Sequence, residues 1–139
     1  MGIVLDSSIL IRLERDASDA PAVPTSWFDQ ELGIAAITAA ELLAGVHRAD
    51  AGHRPRRSAY VEGILAAIPT LPFDLTAARL YAQIEAYLAS VGTPIDRADL
   101  EIAVTALARG WAVATLDHTD FDRVPGLVVI GIDEIGSGA

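Results

Sequence analysis

Short apolar runs alternate along the chain with longer segments in which apolar residues recur every three or four positions. The short runs favour strands, and the longer segments favour amphipathic helices. This alternation is typical of βαβ units and predicts an α/β fold with a central, mainly parallel sheet. The predicted strands are 3–6, 34–36, 71–73, 112–116 and 127–130; the predicted helices begin near Ser8 and run over about 25–32, 38–49, 56–67, 76–90 and 97–109.

Proline and glycine mark the breaks between these elements. A turn with two prolines is predicted over 19–24, and a loop containing Gly52 over 50–55. Gly110 is the predicted stop of the helix that begins near 97. A length of 139 residues fits one domain. We expect that domain to span 1–135 and residues 136–139 to form a flexible tail.

Four acids occupy positions at which an α/β chain places its functional edge. Asp6 ends the first apolar run and Asp117 follows the fourth, while Glu41 and Asp99 lie in the predicted first turns of two helices. Strand ends and the helix starts that follow them share one edge of a parallel sheet, and ligands bind there. Four carboxylates in one place repel one another until a proton or a cation relieves the repulsion. The pattern therefore predicts a site for a hard divalent ion such as Mg²⁺.

Each acid also has an ordinary structural explanation. Asp6 could cap the helix that follows it, and Asp117 could bond its own backbone in a turn. Glu41 fits a capping box that begins at Thr38, although the apolar sequence around it favours burial. Asp99 could complement a helix dipole. The joint placement of the four acids favours a metal site over separate caps.

Neighbouring polar residues fit supporting functions around these acids. Ser8 could orient a water or steady a carboxylate, and we assign Thr115 and Asp120 to the same supporting layer. Asp96 and Asp74 are better candidates for caps, of the helices that begin near 97 and 76. A cap at Asp96 leaves the acid three residues later available for another function.

Composition narrows the class of protein. The chain is 52% hydrophobic, yet no apolar run approaches the ~20 residues that a membrane span needs. The absence of cysteine excludes disulfides, thiolate metal sites and cysteine nucleophiles. No signal peptide is recognisable, and we expect a cytoplasmic protein. The apolar surplus has two explanations that stay open, a tightly packed alanine-rich core or a surface made for a partner.

The basic residues are unevenly distributed. The net charge is −9, which disfavours nucleic-acid binding in general. Segment 47–57 nevertheless carries four arginines and two histidines against one acid, Asp50. The segment is either a solvated loop or a patch that contacts phosphate groups. The candidate contacts in it are Arg48, Arg54, Arg56 and Arg57.

Several other α/β classes with clustered acids do not fit. A phosphatase of the haloacid-dehalogenase type needs a second aspartate two residues after Asp6, where this chain has Ser8. A receiver domain needs a lysine, and the chain has none. The glycine-rich phosphate loops of nucleotide-binding modules are also missing. The alternative that remains is a non-catalytic α/β interaction domain whose strand-end acids are helix caps.

Four segments resemble the motifs of the PIN-domain nucleases, and specifically those of VapC-type toxins from bacterial toxin–antitoxin pairs. The resemblance covers nearly the whole chain, and the motifs occur in the family's order. Segments 71–74 and 92–95 look like connectors of the same family. The four motifs are Ile3-Val4-Leu5-Asp6-Ser7-Ser8, Thr38-Ala39-Ala40-Glu41-Leu42, Asp99-Leu100-Glu101-Ile102-Ala103-Val104-Thr105-Ala106-Leu107 and Thr115-Leu116-Asp117-His118-Thr119-Asp120-Phe121.

This resemblance implies a three-layer α/β/α fold and an endoribonuclease that depends on Mg²⁺, with Mn²⁺ as a substitute. Its catalytic and metal-binding residues would be Asp6, Glu41, Asp99 and Asp117. One or two ions there would lower the pKa of a bound water and polarise the scissile phosphate. The resemblance also implies a homodimer, an RNA substrate and inhibition by a VapB-type antitoxin. The four arginines of 47–57 are the candidate RNA contacts.

Overall fold

The computed structural model describes residues 2–16 and 23–136, in which helices flank a five-stranded sheet. The strands are β1 Ile3–Leu5, β2 Leu32–Ala35, β3 Thr70–Leu71, β4 Ala112–Ala114 and β5 Val129–Ile130. The α-helices are α1 Ser7–Asp16, α2 Ala36–Arg48, α3 Arg54–Ala67, α4 Leu75–Ser90 and α5 Arg97–Leu107. Short 3₁₀ turns occupy Thr25–Asp29, Phe121–Arg123 and Ile132–Glu134.

The sheet has the order β3-β2-β1-β4-β5, and all of these neighbours pair in parallel. The chain winds in one direction from β1 to β3 and in the other from β4 to β5. The strand order therefore reverses between β1 and β4, where a crevice opens beyond the carboxyl ends of the strands. The backbone N–H of Asp6 donates to the Ala114 carbonyl at 2.9 Å. The residues that follow β1 and β4 consequently lie side by side at this crevice.

The strand residues alternate between two apolar faces. Ile3 and Leu5 pack with side chains of α1 and α3, whereas Val4 and Val113 pack with α5 on the opposite face. The side chains of α4 cover α5 from outside. Strands covered on both faces can be apolar throughout, which is why they read as continuous apolar runs. The predicted α/β/α layering and parallel sheet are confirmed.

The order of the elements is as predicted, and their boundaries differ by a few residues. Helix α2 begins at Ala36, directly after β2, rather than at Thr38. Leu32 belongs to β2, so the short helix predicted over 25–32 is only a 3₁₀ turn. Helix α3 begins at Arg54, because Pro55 fits a first helical turn in which its missing N–H leaves no bond unmade. Strands β3, β4 and β5 are shorter than their apolar runs, since a strand extends only as far as its pairing partners.

Two helix caps are confirmed. The side chain of Asp74 accepts a hydrogen bond from the Ala77 backbone N–H at 3.0 Å, at the start of α4. Asp96 accepts from the Ala98 backbone N–H at 3.1 Å, at the start of α5. Each cap satisfies a backbone donor that has no partner inside its helix. The cap at Asp96 leaves Asp99, in the first turn of α5, without a capping duty.

Close packing at the opposite edge of the sheet explains two glycines. A Cβ atom added to Gly2 would overlap the Trp111 ring, and one added to Gly33 would lie 3.1 Å from that ring and 2.7 Å from the Leu71 side chain. The Arg109 guanidinium lies over the same ring, 5.6 Å from its centroid. Glycine is needed where backbone and an aromatic ring approach so closely.

Two predictions fall at the limits of what the structure describes. The turn predicted over 19–24 lies outside the described residues except for its last two positions. The tail predicted over 136–139 also lies outside them except for Gly136. Among the helices of 2–16 and 23–136, none combines the length and apolar character that crossing a bilayer would need.

Candidate active site

Asp6 stands directly after β1, and its side chain is only 6% exposed. Its Oδ1 accepts a hydrogen bond from the Ser7 backbone N–H at 2.8 Å. Its Oδ2 accepts from the hydroxyls of Ser8 and Thr115, each at 2.8 Å. These donors satisfy a buried carboxylate and fix its orientation. The structure thus places Ser8 and Thr115 in the supporting positions that the sequence predicted for them.

Parallel pairing of β1 with β4 is what brings Thr115 to Asp6, which is 109 positions away in sequence. The two supporting hydroxyls also hold the chain after β4. The backbone N–H of Leu116 donates to the Ser8 Oγ at 3.1 Å, and that of Asp117 donates to the Thr115 Oγ1 at 3.0 Å. The orientation of Asp6 is therefore tied to the backbone on both sides of the crevice.

Asp99 is half-buried in the first turn of α5, and its pKa is raised from 3.8 to about 7. Burial is the largest cause, followed by a hydrogen bond with the Asp120 side chain. The negative charges of Asp6, Asp120 and Asp96 raise the pKa further. Carboxylates that share a site without a counter-charge have this effect on one another. Asp99, Asp6 and Asp120 therefore lie close together at the crevice.

Glu41 does not form the capping box that was its alternative explanation. Helix α2 begins before Thr38, its N-cap residue Ala35 makes no side-chain cap bond, and the buried Thr38 hydroxyl has no hydrogen-bond partner within the described residues. The pKa of Glu41 is raised, first by partial burial and then by the negative charge of Asp6. Arg48 acts in the opposite direction and lowers it. Glu41 is thus an exposed acid that lies within the electrostatic reach of Asp6.

The carboxylate of Asp117 interacts with residues of its own loop. Its Oδ1 accepts a hydrogen bond from the Thr119 backbone N–H at 3.0 Å, and bonding to Thr119 is the largest cause that lowers its pKa. The carboxylate is fully exposed, and the charge that acts on it is that of His118 in its own loop. This is the turn chemistry that the sequence left as the alternative. The Asp117 backbone stays beside the crevice, since its N–H donates to the Thr115 hydroxyl, and only its carboxylate bonds within its own loop.

Asp120, predicted only as a supporting residue, is the acid of this loop that reaches Asp99. The neighbouring Phe121 is buried with 1% exposure and anchors the loop in the core. The Asp120 Oδ2 accepts from the Asp96 backbone N–H at 3.3 Å, which holds it over the start of α5. Arg123 lies 3.6 Å from its Oδ1. The sequence signal for this acid was its position, directly before the loop's large apolar residue.

The donor chemistry of the site suits a hard divalent cation. We call Asp6, Glu41, Asp99 and Asp120 the acidic cluster; all four offer the carboxylate oxygens that Mg²⁺ prefers. Their repulsion contributes to the raised pKa of Asp99 and Glu41, and a cation would relieve it. As the side chains stand in residues 2–16 and 23–136, no three acidic or histidine groups are arranged around one ion. Glu101 is a further acid that raises the pKa of Glu41 and that the sequence did not indicate.

The arginines of 47–57 take up different positions. Arg48 and Arg57 line the same cleft as Glu41. The Arg57 guanidinium also pairs with Glu14 at 3.2 Å. Arg54 donates instead to the Ala49 carbonyl at 2.8 Å, at the end of α2. The cluster seen in the sequence is therefore not one surface, and Arg56 makes no hydrogen bond or ion pair within the described residues.

The fold and the acids at its switch point define the PIN-domain class. Residues 3–127 match the family model described as PIN domain. This match spans more than half of the chain, and the chain belongs to the PIN-domain family.

Within that family, similar relatives include proteins named VapC. The chain is 35% identical over 133 residues to the ribonuclease VapC of Rickettsia bellii, covering 95% of this chain and 97% of the relative. It is 38% identical over 138 residues to the VapC ribonuclease Y4jK of Sinorhizobium fredii, covering 92% and 95%. The structure of DNA-bound VapBC from Salmonella typhimurium matches with a TM-score of 0.80 and 29% identity, over 94% of this chain and 98% of that one.

Proposed function

We propose that this PIN-domain protein is an Mg²⁺-dependent endoribonuclease and the toxin of a VapBC-type toxin–antitoxin pair. The observation that carries the proposal is the meeting of Asp6, Asp99 and Asp120 at the switch point of the sheet, with Asp99 raised to a pKa of about 7. Relatives of nearly the same length are named ribonuclease VapC, which supports RNA as the substrate class. We expect Mn²⁺ to substitute for Mg²⁺.

The acidic cluster would hold the ion, with Asp120 in the place that the sequence assigned to Asp117. When bound, the ion supplies a water of lowered pKa and offsets negative charge on the scissile phosphate. The chain's own contribution is positioning. Ser8 and Thr115 hold the Asp6 carboxylate at a fixed angle, so this ligand has little freedom to lose when an ion binds.

Assembly with an antitoxin is part of the same proposal. Solved structures that resemble this chain include DNA-bound VapBC from Salmonella typhimurium and VapBC-5 from Mycobacterium tuberculosis, a member of the VapBC family of toxin–antitoxin systems. The chain also exposes large apolar side chains, including Leu75, Tyr87 and Val91, which suit protein contacts. We propose that the protein forms a homodimer, binds a VapB-type antitoxin and acts in the cytoplasm.

Cleavage of RNA by the purified chain tests the catalytic part of the proposal. We expect hydrolysis of RNA with Mg²⁺, none with EDTA, and none by the Asp6→Asn or Asp99→Asn variants, whose folds should be intact by circular dichroism. Asp122→Asn, which changes an exposed acid in the loop after β4, is the matched control and should cut at the wild-type rate. A properly folded Asp6→Asn variant that cuts RNA as fast as the wild type would refute the site.

A second pair of variants separates the two acids of the loop after β4. Because Asp120 bonds Asp99 and Asp117 bonds only its own loop, Asp120→Asn should lower the cleavage rate far more than Asp117→Asn. Both substitutions remove one charge and keep the side-chain shape. The reverse order of effects would restore Asp117 to the site and exclude Asp120.

A further inference from the structure

The structure divides the four arginines of 47–57 into two pairs with different surroundings. Arg48 and Arg57 line one cleft beside the acidic cluster, whereas Arg54 is bonded to the carbonyl of Ala49. Arg56 is exposed on the first turn of α3 and is not part of that cleft. The two pairs carry the same charge and lie in the same short segment of sequence, so the difference between them is where the folded structure places their side chains.

Two adjoining clefts form one groove that leads to Glu41. The first has a volume of about 210 Å³, and its charged lining residues are Glu14, Glu41, Arg48 and Arg57. The second has a volume of about 410 Å³, shares Gly45, Arg48 and Arg57 with it, and extends to His53 and Asp50, which pair with each other at 2.8 Å. We call the surface formed by Glu41, Gly45, Arg48, Arg57 and His53 the arginine groove. It runs from Glu41 of the acidic cluster to His53 at the start of α3.

Helix α2 forms the floor of the arginine groove. Glu41 and Arg48 are seven residues apart, which is nearly two helical turns, so both point to the same face about 10 Å apart along the axis. Gly45 lies between them and has no side chain to fill the space. The Arg57 Nη1 reaches within 3.5 Å of where a Cβ of Gly45 would be. The Arg57 guanidinium from α3 thus lies at ordinary contact distance from α2 at this position.

The walls of the arginine groove are held by contacts between α1 and α3. The Tyr60 hydroxyl donates to the Leu10 carbonyl at 2.6 Å, and burial raises the pKa of Tyr60 to about 12, which keeps this donor protonated. This bond joins the two walls without involving Arg57 or Glu14, which pair separately at 3.2 Å.

We propose that the arginine groove binds the phosphodiester backbone of the RNA substrate, with Arg48 and Arg57 contacting phosphates and Arg54 and Arg56 taking no part. This rests on the proposed function and assigns the path by which the substrate reaches its site. No carboxylate within the described residues lies at salt-bridge distance from Arg48, so its charge is available to a ligand. A guanidinium offers a phosphate two parallel donors.

Two electrostatic facts make this placement effective. Phosphates approaching the acidic cluster meet repulsion, and the positive charge of Arg48, in the same cleft as Glu41, offsets part of it. Arg57 is already paired with Glu14, but that pair is partly exposed and contributes little stability. Arg57 can therefore exchange the Glu14 carboxylate for a phosphate at small cost.

The test measures binding of a short fluorescein-labelled single-stranded RNA by anisotropy, in EDTA, across a series of salt concentrations. The full-length chain is compared with Arg48→Gln, Arg57→Gln, Arg54→Gln and Arg56→Gln, each of which removes one positive charge. We expect Arg48→Gln and Arg57→Gln each to weaken binding roughly tenfold. Each should also reduce the slope of log affinity against log salt by about 0.7, the value for one contact to a single strand.

Arg56→Gln should change neither quantity, and Arg54→Gln should lower the melting temperature while leaving the slope intact. Arg48→Lys, which keeps the charge, should restore most of the slope. Equal losses in all four variants would mean a diffuse charge effect and would overturn the proposal. Unchanged RNA binding in Arg48→Gln and Arg57→Gln, with loss of binding to an acidic antitoxin segment, would assign the groove to that partner instead.

The binding test and the cleavage test fail independently. If the wild type does not cut RNA but Arg48→Gln still reduces the salt slope, RNA binding by the arginine groove is supported and the catalytic proposal is refuted. If the Arg48→Gln, Arg57→Gln double variant cuts RNA with the wild-type KM, the catalytic proposal is supported and the arginine groove is not the RNA-binding surface.

Discussion

Replacing Asp99 with asparagine should stabilise the metal-free protein at neutral and alkaline pH. An ordinary aspartate ionises near pH 3.8, whereas Asp99 in the folded chain ionises near pH 7. Between these values the folded protein holds a proton that the unfolded chain has released, so stability falls as the pH rises through this window. The penalty is absent below the lower pKa and complete above the upper one. The asparagine side chain of the variant does not ionise, so the variant would avoid this penalty.

The size of the effect follows from the same two pKa values. The difference between 3.8 and about 7 corresponds to about 4 kcal/mol if nothing screens the charge. Because Asp99 is only half-buried, water screens a large part, and we expect about 1–2 kcal/mol to remain. For a domain of this size that is roughly 4–8 °C in melting temperature. The asparagine amide can still donate to the Asp120 carboxylate, so the local packing should persist.

Thermal melting in EDTA at about pH 5 and about pH 8 checks this prediction. The variant should exceed the wild type by more at the higher pH than at the lower one. Asp122→Asn, also in EDTA, controls for removing any one acid from this chain and should show no such pH dependence. A wild type that is as stable as the Asp99→Asn variant at about pH 8 would refute the reasoning, since Asp99 would then not be repelled by its neighbours.

Three further predictions concern the same fold and site. Millimolar Mn²⁺ should raise the melting temperature, by roughly 2.7 kcal/mol of stability at a hundred times its dissociation constant, and Asp6→Asn should blunt that shift; an unchanged wild-type melting curve would favour caps over a metal site. Thr115→Val should lower the cleavage rate and metal affinity because Asp6 loses a donor, by about tenfold, while an unchanged metal titration would exclude the supporting function. Gly2→Ala should cost about 1–3 kcal/mol through overlap with Trp111, whereas Gly63→Ala, with open space around it on a helix, should stabilise by up to about 1 kcal/mol; equal denaturation midpoints would contradict the packing argument.

Local signals in the sequence were enough for the existence of the α-helices, for two of their caps and for the layer order, but not for segment 25–32. Asp74 and Asp96 stand before helical segments, and each bonds the backbone as a cap must, because capping involves residues only two or three positions apart. Apolar runs with no polar alternation indicated strands buried on both faces, since such strands need helices on both sides. The exact ends of the strands were less accessible, because they depend on partners far along the chain.

The acids show which positions the sequence could predict and which depended on tertiary structure. Asp6 and Asp99 were placed correctly at one edge because a strand end and a helix start fix a residue's position to within a turn. Asp117 and Asp120 lie in one loop, and only the tertiary structure shows that Asp120 bonds Asp99 and the Asp96 backbone N–H. The four arginines of 47–57 were likewise equivalent in the sequence. They become different because α3 packs against α1 and α2, which directs Arg57 over Gly45 and leaves Arg56 in solvent.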